Sequence, residues 1–202
     1  MDNYEYIIAS LPTLQYGQTG DRNLDADCVI SDIKEQLSKE DTALLDFTLK
    51  GFEAESLNED FYLQALKSRC RFIREYFLYD LQMRNLKVSY LNSELGRDQG
   101  TDILTLEQAP ECEADSQDEI LQALSCNALL EREKALDRLL WTKAESITEL
   151  DIFNINLILS FAVRLKITDR WLRLDEKTGK ELFRKLVDEI RSTYDNKKQK
   201  LI

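Results

Sequence analysis

Apolar residues return every three or four positions through most of this chain, the period of helices that bury one face. The fullest example runs from Ser56 to about Gly96. One stripe consists of Leu63, Leu66, Cys70, Ile73, Phe77 and Leu81, and a second of Phe72, Tyr76, Tyr79, Met83, Leu86 and Tyr90. Two stripes require neighbours on two sides, so the pattern predicts one long helix acting as a spine. Ser56 and Glu59 have the spacing of a capping box, which places its start near Leu57. No proline or glycine interrupts the stretch before Gly96, and roughly 40 helical residues would extend about 60 Å. The alternative is a pair of helices broken near Asp80–Arg84.

Shorter amphipathic segments surround this spine. Tyr4, Tyr6, Ile7, Ile8 and Leu11 form an apolar segment ended by Pro12, with a loop at Gly17 and Gly20. Asp25 or Asp27 can cap a helix that turns Val29, Ile30, Ile33 and Leu37 inward. Ser38 and Asp41 open another, which buries Leu44, Leu45, Phe47 and Leu49 and stops at Gly51. Beyond the spine, Ser116 with Glu119 introduces one or two helices burying Ile120, Leu121, Leu124, Leu129, Leu136, Leu139, Leu140 and Trp141. Ser146 with Glu149 introduces the most apolar helix, with Phe153, Ile155, Leu157, Ile158, Leu159, Phe161, Ala162 and Leu165. Thr178 with Glu181 starts a last one carrying Leu182, Leu186, Ile190 and Tyr194. The expected fold is therefore all-α, a helical bundle of one domain over residues 1–202. Its two lobes, 1–97 and 116–202, are joined by the acidic linker 98–115, where Gly100 and Pro110 fall. Ile103, Leu104 and Leu106 can tuck against the body.

Composition narrows the class. Of 202 residues, 43% are hydrophobic and 32% charged, which describes a globular chain with no run long enough to span a bilayer. Asp2 and Glu5 stand where a secretory signal carries positive charge, so a cytoplasmic location is expected. Net charge is −11, a field that disfavours nucleic acid. It is unevenly spread: residues 1–62 hold 14 acids and 4 bases and residues 98–131 hold 9 acids and none, whereas 63–97 hold 7 bases and 3 acids and 164–202 hold 12 and 7. The basic segments either neutralise the acidic ones within the fold or face an acidic partner.

Reactive chemistry is not evident. The chain has no histidine, which removes histidine triads and HExxH sites. Cys28, Cys70, Cys112 and Cys126 are scattered, so neither a disulfide framework nor a zinc site is expected, and Cys70 reads as a small buried hydrophobe. KTGKELF lacks the first glycine of a phosphate loop and has Glu181 after the lysine. Paired carboxylates such as Glu131 with Glu133 or Asp21 with Asp25 lie in highly charged segments without signs of desolvation. No enzyme activity, cofactor or metal is expected.

The segment FLYDLQMRNLKVSYLNSELG resembles a recurrent helix of the V-type ATPase C-subunit family, whose eukaryotic members are the d-subunits, at Asp80, Asn85, Leu86 and Lys87. FNINLILSFAVRLKITDRWL looks like the family's later version of that helix, with Leu165, Lys166 and Arg170 in the corresponding pattern. YIIASLP and LKITDRWLRLDEKTGKELF are similar to a shorter family of uncharacterised bacterial proteins encoded among V-type ATPase genes, a likeness over most of the chain. The chain is distinctly shorter than a C-subunit of three helical repeats, so a reduced, two-lobed version of that fold is expected. The resemblance implies a non-catalytic piece that couples the central rotor shaft to the membrane proteolipid ring in proton or sodium transport. It would be peripheral to the membrane through protein contacts alone. Arg84, Lys87, Arg164, Lys166 and Arg170 are the candidate partner-contact residues; pairing with internal acids is their alternative role. A helical adaptor for another soluble protein is the alternative function.

Overall fold

A computed structural model describes residues 3–17, 24–107, 109–110 and 112–174. The described residues are all-α: α1 (Tyr4–Ser10), α2 (Ala26–Gln36), α3 (Lys39–Lys50), α4 (Glu59–Lys67), α5 (Arg71–Glu94), α6 (Ala114–Leu124), α7 (Leu129–Ile147) and α8 (Ile155–Arg173), with one 3₁₀ turn at Ala54–Ser56. The predicted helix beginning near Thr178 lies outside the described residues.

Ser38 caps α3 as expected, and of the two candidate aspartates Asp25, not Asp27, caps α2. Asp25 accepts from the backbone N–H groups of Asp27 and Cys28 at the head of α2, and Ser38 accepts from that of Asp41 at the head of α3. Asp41 in turn accepts from the Ser38 hydroxyl and from the Tyr4 hydroxyl, tying α1 to α3.

The spine differs from expectation. It is two helices, and the break falls at Ser68–Cys70, neither absent nor near Asp80–Arg84. Ser68 leaves the helical region at ψ 141°, its hydroxyl accepts from the Cys70 backbone N–H, and Arg74 donates to its carbonyl. Serine thereby offers the backbone local partners outside the helix ladder. Asn58, not Ser56, caps α4, accepting from the Phe61 N–H; the Ser56 hydroxyl turns back to Glu53. Two other capping boxes are also displaced. Glu113 precedes α6 without a side-chain cap, leaving Ser116 inside the first turn. Ser146 sits in the last turn of α7, its hydroxyl donating to the Lys143 carbonyl, and Asn154 caps α8. In each case a side chain that could have capped found an acceptor within a helix already under way or stands inside one.

Three helices form the frame. Arg71 reaches the Ile147 carbonyl and Lys87 reaches Glu133, so α5 and α7 run antiparallel. Ser160 donates to the Ala144 carbonyl and Arg170 to Asp137, so α8 runs antiparallel to α7. Contacts with α1, α2, α3, α5 and α7 cover α8, which explains how a helix with an unbroken buried run from Ile158 to Val163 is accommodated.

Buried apolar side chains form two clusters. The larger joins Ile7, Ile30, Ile33 and Leu45 with Phe72, Ile73, Phe77, Trp141 and most of α8. Its centre is aromatic: Phe61 stacks on Phe47 with ring centroids 4.8 Å apart and meets Phe77 edge-on at 4.9 Å. Gly51 permits this packing, since a Cβ there would lie 2.4 Å from the Phe77 ring. The smaller cluster gathers Tyr79, Met83, Ile120, Ala123, Leu124 and Leu136 from α5, α6 and α7. The second predicted stripe of the spine thus begins in one cluster and ends in the other.

The acidic segment after α5 is pinned to it. Asn85 donates through Nδ2 to the Leu104 carbonyl at 2.8 Å and accepts from the Leu104 N–H at 3.1 Å. Asn92 donates to the Thr101 carbonyl and Gln82 to that of Pro110. Leu106 enters the larger cluster, with Leu104 packed against it.

Candidate functional site

The five cationic candidates do not form one patch. Arg84 lies one turn beyond Asp80 on α5, and its Nε donates to Asp80 Oδ2 at 2.7 Å. The same carboxylate oxygen accepts from the Tyr62 hydroxyl at 2.6 Å, so a buried acid joins α4 to α5. Burial and the neighbouring carboxylate push the Tyr62 phenol well above its usual range. Burial works against the Arg84 charge, but the Asp80 carboxylate outweighs it and raises its pKa.

Lys87 pairs with Glu133 across α5 and α7 at 2.6 Å. Arg164 pairs with Glu145 at 3.1 Å and lies over the Trp141 ring, 5.5 Å from its centroid; burial lowers its pKa. Lys166 reaches Asp27 at 3.0 Å, and Arg173 shares that carboxylate. These two hydrogen bonds hold the exposed Asp27 carboxyl below its ordinary range.

Arg170 pairs with Asp137, which also accepts from the Trp171 indole at 2.7 Å. Asp137 is buried, and desolvation raises its carboxyl above the ordinary range despite the opposing arginine and indole. Each candidate therefore has an acidic partner within the fold, and each pair except Arg84–Asp80 ties two helices together. The more exposed of these pairs, Lys87–Glu133, Arg164–Glu145 and Lys166–Asp27, contribute little stability individually.

Lys166 and Arg170 also line a groove of about 840 Å³ between α2, α3 and α8. Its charges alternate in sign: Lys34 faces Asp46 at 2.6 Å, and Glu53, Asp169 and Lys50 complete the rim. Such a wall presents no single sign of potential to a charged small ligand. Among the described residues no group of histidine, cysteine and carboxylate side chains could hold a metal ion. No described helix is long and apolar enough to cross a membrane.

Among the described residues, two groups of exposed apolar side chains stand at the two ends of the α5–α7 pair, apart from the scattered Tyr6, Phe52 and Leu174. At the end where α5 begins and α7 stops, the turn into α8 leaves Leu150, Ile152 and Phe153 exposed. This corrects the expectation that Phe153 is buried in the apolar helix: Asn154 starts that helix after it. At the other end Leu91 and Leu95 of α5 and its C-cap are exposed, as are Leu129 and Leu130 at the head of α7. Leu129 and Leu121 were expected inside; both are exposed, because α7 starts at Leu129 and α6 turns Ile120, Ala123 and Leu124 inward.

Residues 51–194 match the family described as "Protein of unknown function (DUF2764)". The chain belongs to that family. No curated protein and no solved structure matches the chain. The DUF2764 region takes in α4 through α8, and so both apolar ends, the smaller cluster and all five cationic candidates. Helices α1 to α3 lie outside it, together with Asp27, the partner of Lys166. The Lys87–Glu133, Arg164–Glu145 and Arg170–Asp137 pairs fall wholly within the DUF2764 region.

Sequence reasoning missed both ends. Asn154 offered the signal for one, since an asparagine three residues before Leu157 is as good a cap as Ser146, and choosing it leaves LDIF outside the helix. The heads of α6 and α7 carry no comparable capping signal.

Proposed function

We propose that this DUF2764 protein is a non-catalytic helical adaptor that joins two protein partners. In this reading it belongs to a V-type ATPase and, as the likeness to the C-subunit family implies, couples the central rotor shaft to the proteolipid ring. It would then be cytoplasmic and reach the membrane only through other proteins. The observation that carries the adaptor reading is the placement of exposed Leu150, Ile152 and Phe153 at one end of the α5–α7 pair and Leu91, Leu95, Leu129 and Leu130 at the other. Helix α5 has 24 residues and therefore separates the ends by about 36 Å. A piece that transmits force between two neighbours needs contact surfaces at separated ends of a stiff body and closely packed helices between them. The V-type setting rests on the sequence resemblance at Asp80, Asn85, Leu86 and Lys87 and at Leu165, Lys166 and Arg170.

Native mass spectrometry tests the assignment directly, with the chain co-expressed beside the V-type shaft subunits and proteolipid ring of its own source. A complex holding it in single copy is expected. An enzyme that assembles fully without it removes the V-type setting and leaves the general adaptor for a soluble partner.

A further inference from the structure

The turn between α7 and α8 has features that its role as a connection does not require. Leu150 is 90% exposed, Ile152 78% and Phe153 47%, three large apolar side chains within four positions. Phe153 has a φ of 44°, in the left-handed region that a bulky L-residue occupies only against steric resistance. Strain of this kind persists only where the surroundings impose it.

Those surroundings are a polar clamp. Arg71 donates to the Ile147 carbonyl at the end of α7 and to Asp151 in the turn, both at 2.7 Å. Asn156 donates to the same Asp151 oxygen at 3.1 Å, and Asn154 caps α8 by accepting from the Leu157 N–H. Thr148 closes the α7 side by hydrogen bonds to the Ala144 and Glu145 carbonyls. The turn is thus held from α5, α7 and α8 at once, with its apolar side chains left in solvent. A contact loop ordered before binding avoids the entropy loss of being ordered on binding.

The size and charge of the tip indicate its occupant. Three side chains supply a few hundred Å² at most, short of the roughly 800 Å² per partner of a standard interface, so a flat contact between two copies at this tip is insufficient. Insertion into a concave, desolvated site is the arrangement in which so few residues dominate binding. A lipid surface would call for one sign of charge around the tip. Instead Glu149 stands exposed on the α7 side, while Lys67 and Arg69 are exposed by the α4–α5 turn, which reaches the same end of the bundle through Cys70 and Asn156 at 3.4 Å. Opposite charges on two sides suit a protein partner, where they fix orientation.

We propose that Leu150, Ile152 and Phe153 form a preorganised plug that enters an apolar cleft of a partner protein, with a basic rim facing Glu149 and an acidic rim facing Lys67 and Arg69. This deepens the adaptor reading and rests on it, by assigning one of its two contact ends.

The test is photo-crosslinking in the cells of origin, using the full chain with a benzophenone amino acid at position 152 and, as control, at exposed position 121. The expected result is one dominant protein adduct from position 152, mapped to an apolar site flanked by charged residues. It should fall at least tenfold with Leu150→Asp and about threefold with Glu149→Lys, in variants whose circular dichroism and Tm match the parent. If the adduct is a V-type ATPase component, both the plug and the V-type setting are supported. If it is another protein at such a site, the plug stands and the V-type setting falls. Adducts only to lipid or to a second copy of the chain, no adduct, or an adduct unaffected by Leu150→Asp would overturn the plug. In those cases the mass spectrometry result on the assembled enzyme still decides the V-type setting separately.

Discussion

The two halves of α5 stand in different environments. Its first half, from Phe72 to Phe77, is enclosed by aromatic rings and by α8. The second half, beyond Leu81, faces a smaller apolar cluster on one side and is also held by the Lys87–Glu133 pair and by side-chain amides that grip a loop. One continuous helix therefore passes from a region stabilised by apolar burial to one that also needs specific polar contacts. Dense packing resists any change of volume. Amide contacts to a loop instead localise the loss when one is removed, because the loop opens without disturbing the core.

The sharpest way to expose the difference is to delete a side chain from each half. Phe77→Ala empties the site shared by Phe47, Phe61 and Tyr76 and should destabilise by about 3–5 kcal/mol, seen as a large fall in the urea midpoint with loss of protection throughout α3, α5 and α8. Leu124→Ala, in the smaller cluster, should cost about 2–3 kcal/mol, towards the lower end for buried leucine, because α6 can shift towards the gap. Hydrogen exchange should rise first in α6 and the second half of α5. If the two variants deprotect the same amides, the contrast between the halves is wrong.

A smaller effect is expected from Asn85→Ala. It removes both hydrogen bonds to Leu104 and leaves that backbone to find water, a loss of about 1–3 kcal/mol. Faster proteolysis within 98–107 at an almost unchanged circular dichroism spectrum would check it.

The smallest effect separates two acids at opposite ends of the α7–α8 pair. Burial raises the Asp137 carboxyl, so the native state binds that proton more tightly than the unfolded chain. Its contribution to stability falls as pH rises from the ordinary carboxylate value through the higher folded one. At Asp151 burial acts upward too, but hydrogen bonds from Asn154, Asn156 and Arg71 prevail and lower the carboxyl. Its contribution is present above the unfolded value and is lost as pH falls through the folded one. Asp137→Asn should therefore flatten the loss of stability on the rising side, and Asp151→Asn the loss on the acid side. Both are read from urea midpoints between about pH 3 and 7, the range in which carboxyl groups exchange their protons.

Much of the fold was legible along the chain. The 3.6-residue period identified the helical segments, the cap at Ser38 was correctly placed, and the α2 cap was narrowed to Asp25 or Asp27, of which the structure uses Asp25. Ser56, Ser116 and Ser146 looked equally good and were not caps. A serine's role depends on which acceptor lies nearest once neighbouring segments pack, and Asn58 and Asn154 stood closer to the true starts. The break at Ser68–Cys70 was invisible for the same reason, since no proline or glycine marks it.

The candidate site was less legible. Sequence located the cationic residues and offered pairing with internal acids as one role, but their partners Asp137, Glu133 and Glu145 come from α7 and Asp27 from α2, separations that spacing cannot reveal. By itself the sequence determined an all-α bundle, the core-facing positions of most helices and the absence of histidine chemistry, because helical period and residue chemistry are local properties. Only the tertiary structure decided where α5 begins, that Asn85 grips Leu104, and that Leu150, Ile152 and Phe153 stand outside. Each of these depends on which surfaces of distant segments meet, and apolar residues are equally apolar whether the fold covers them or leaves them at its end.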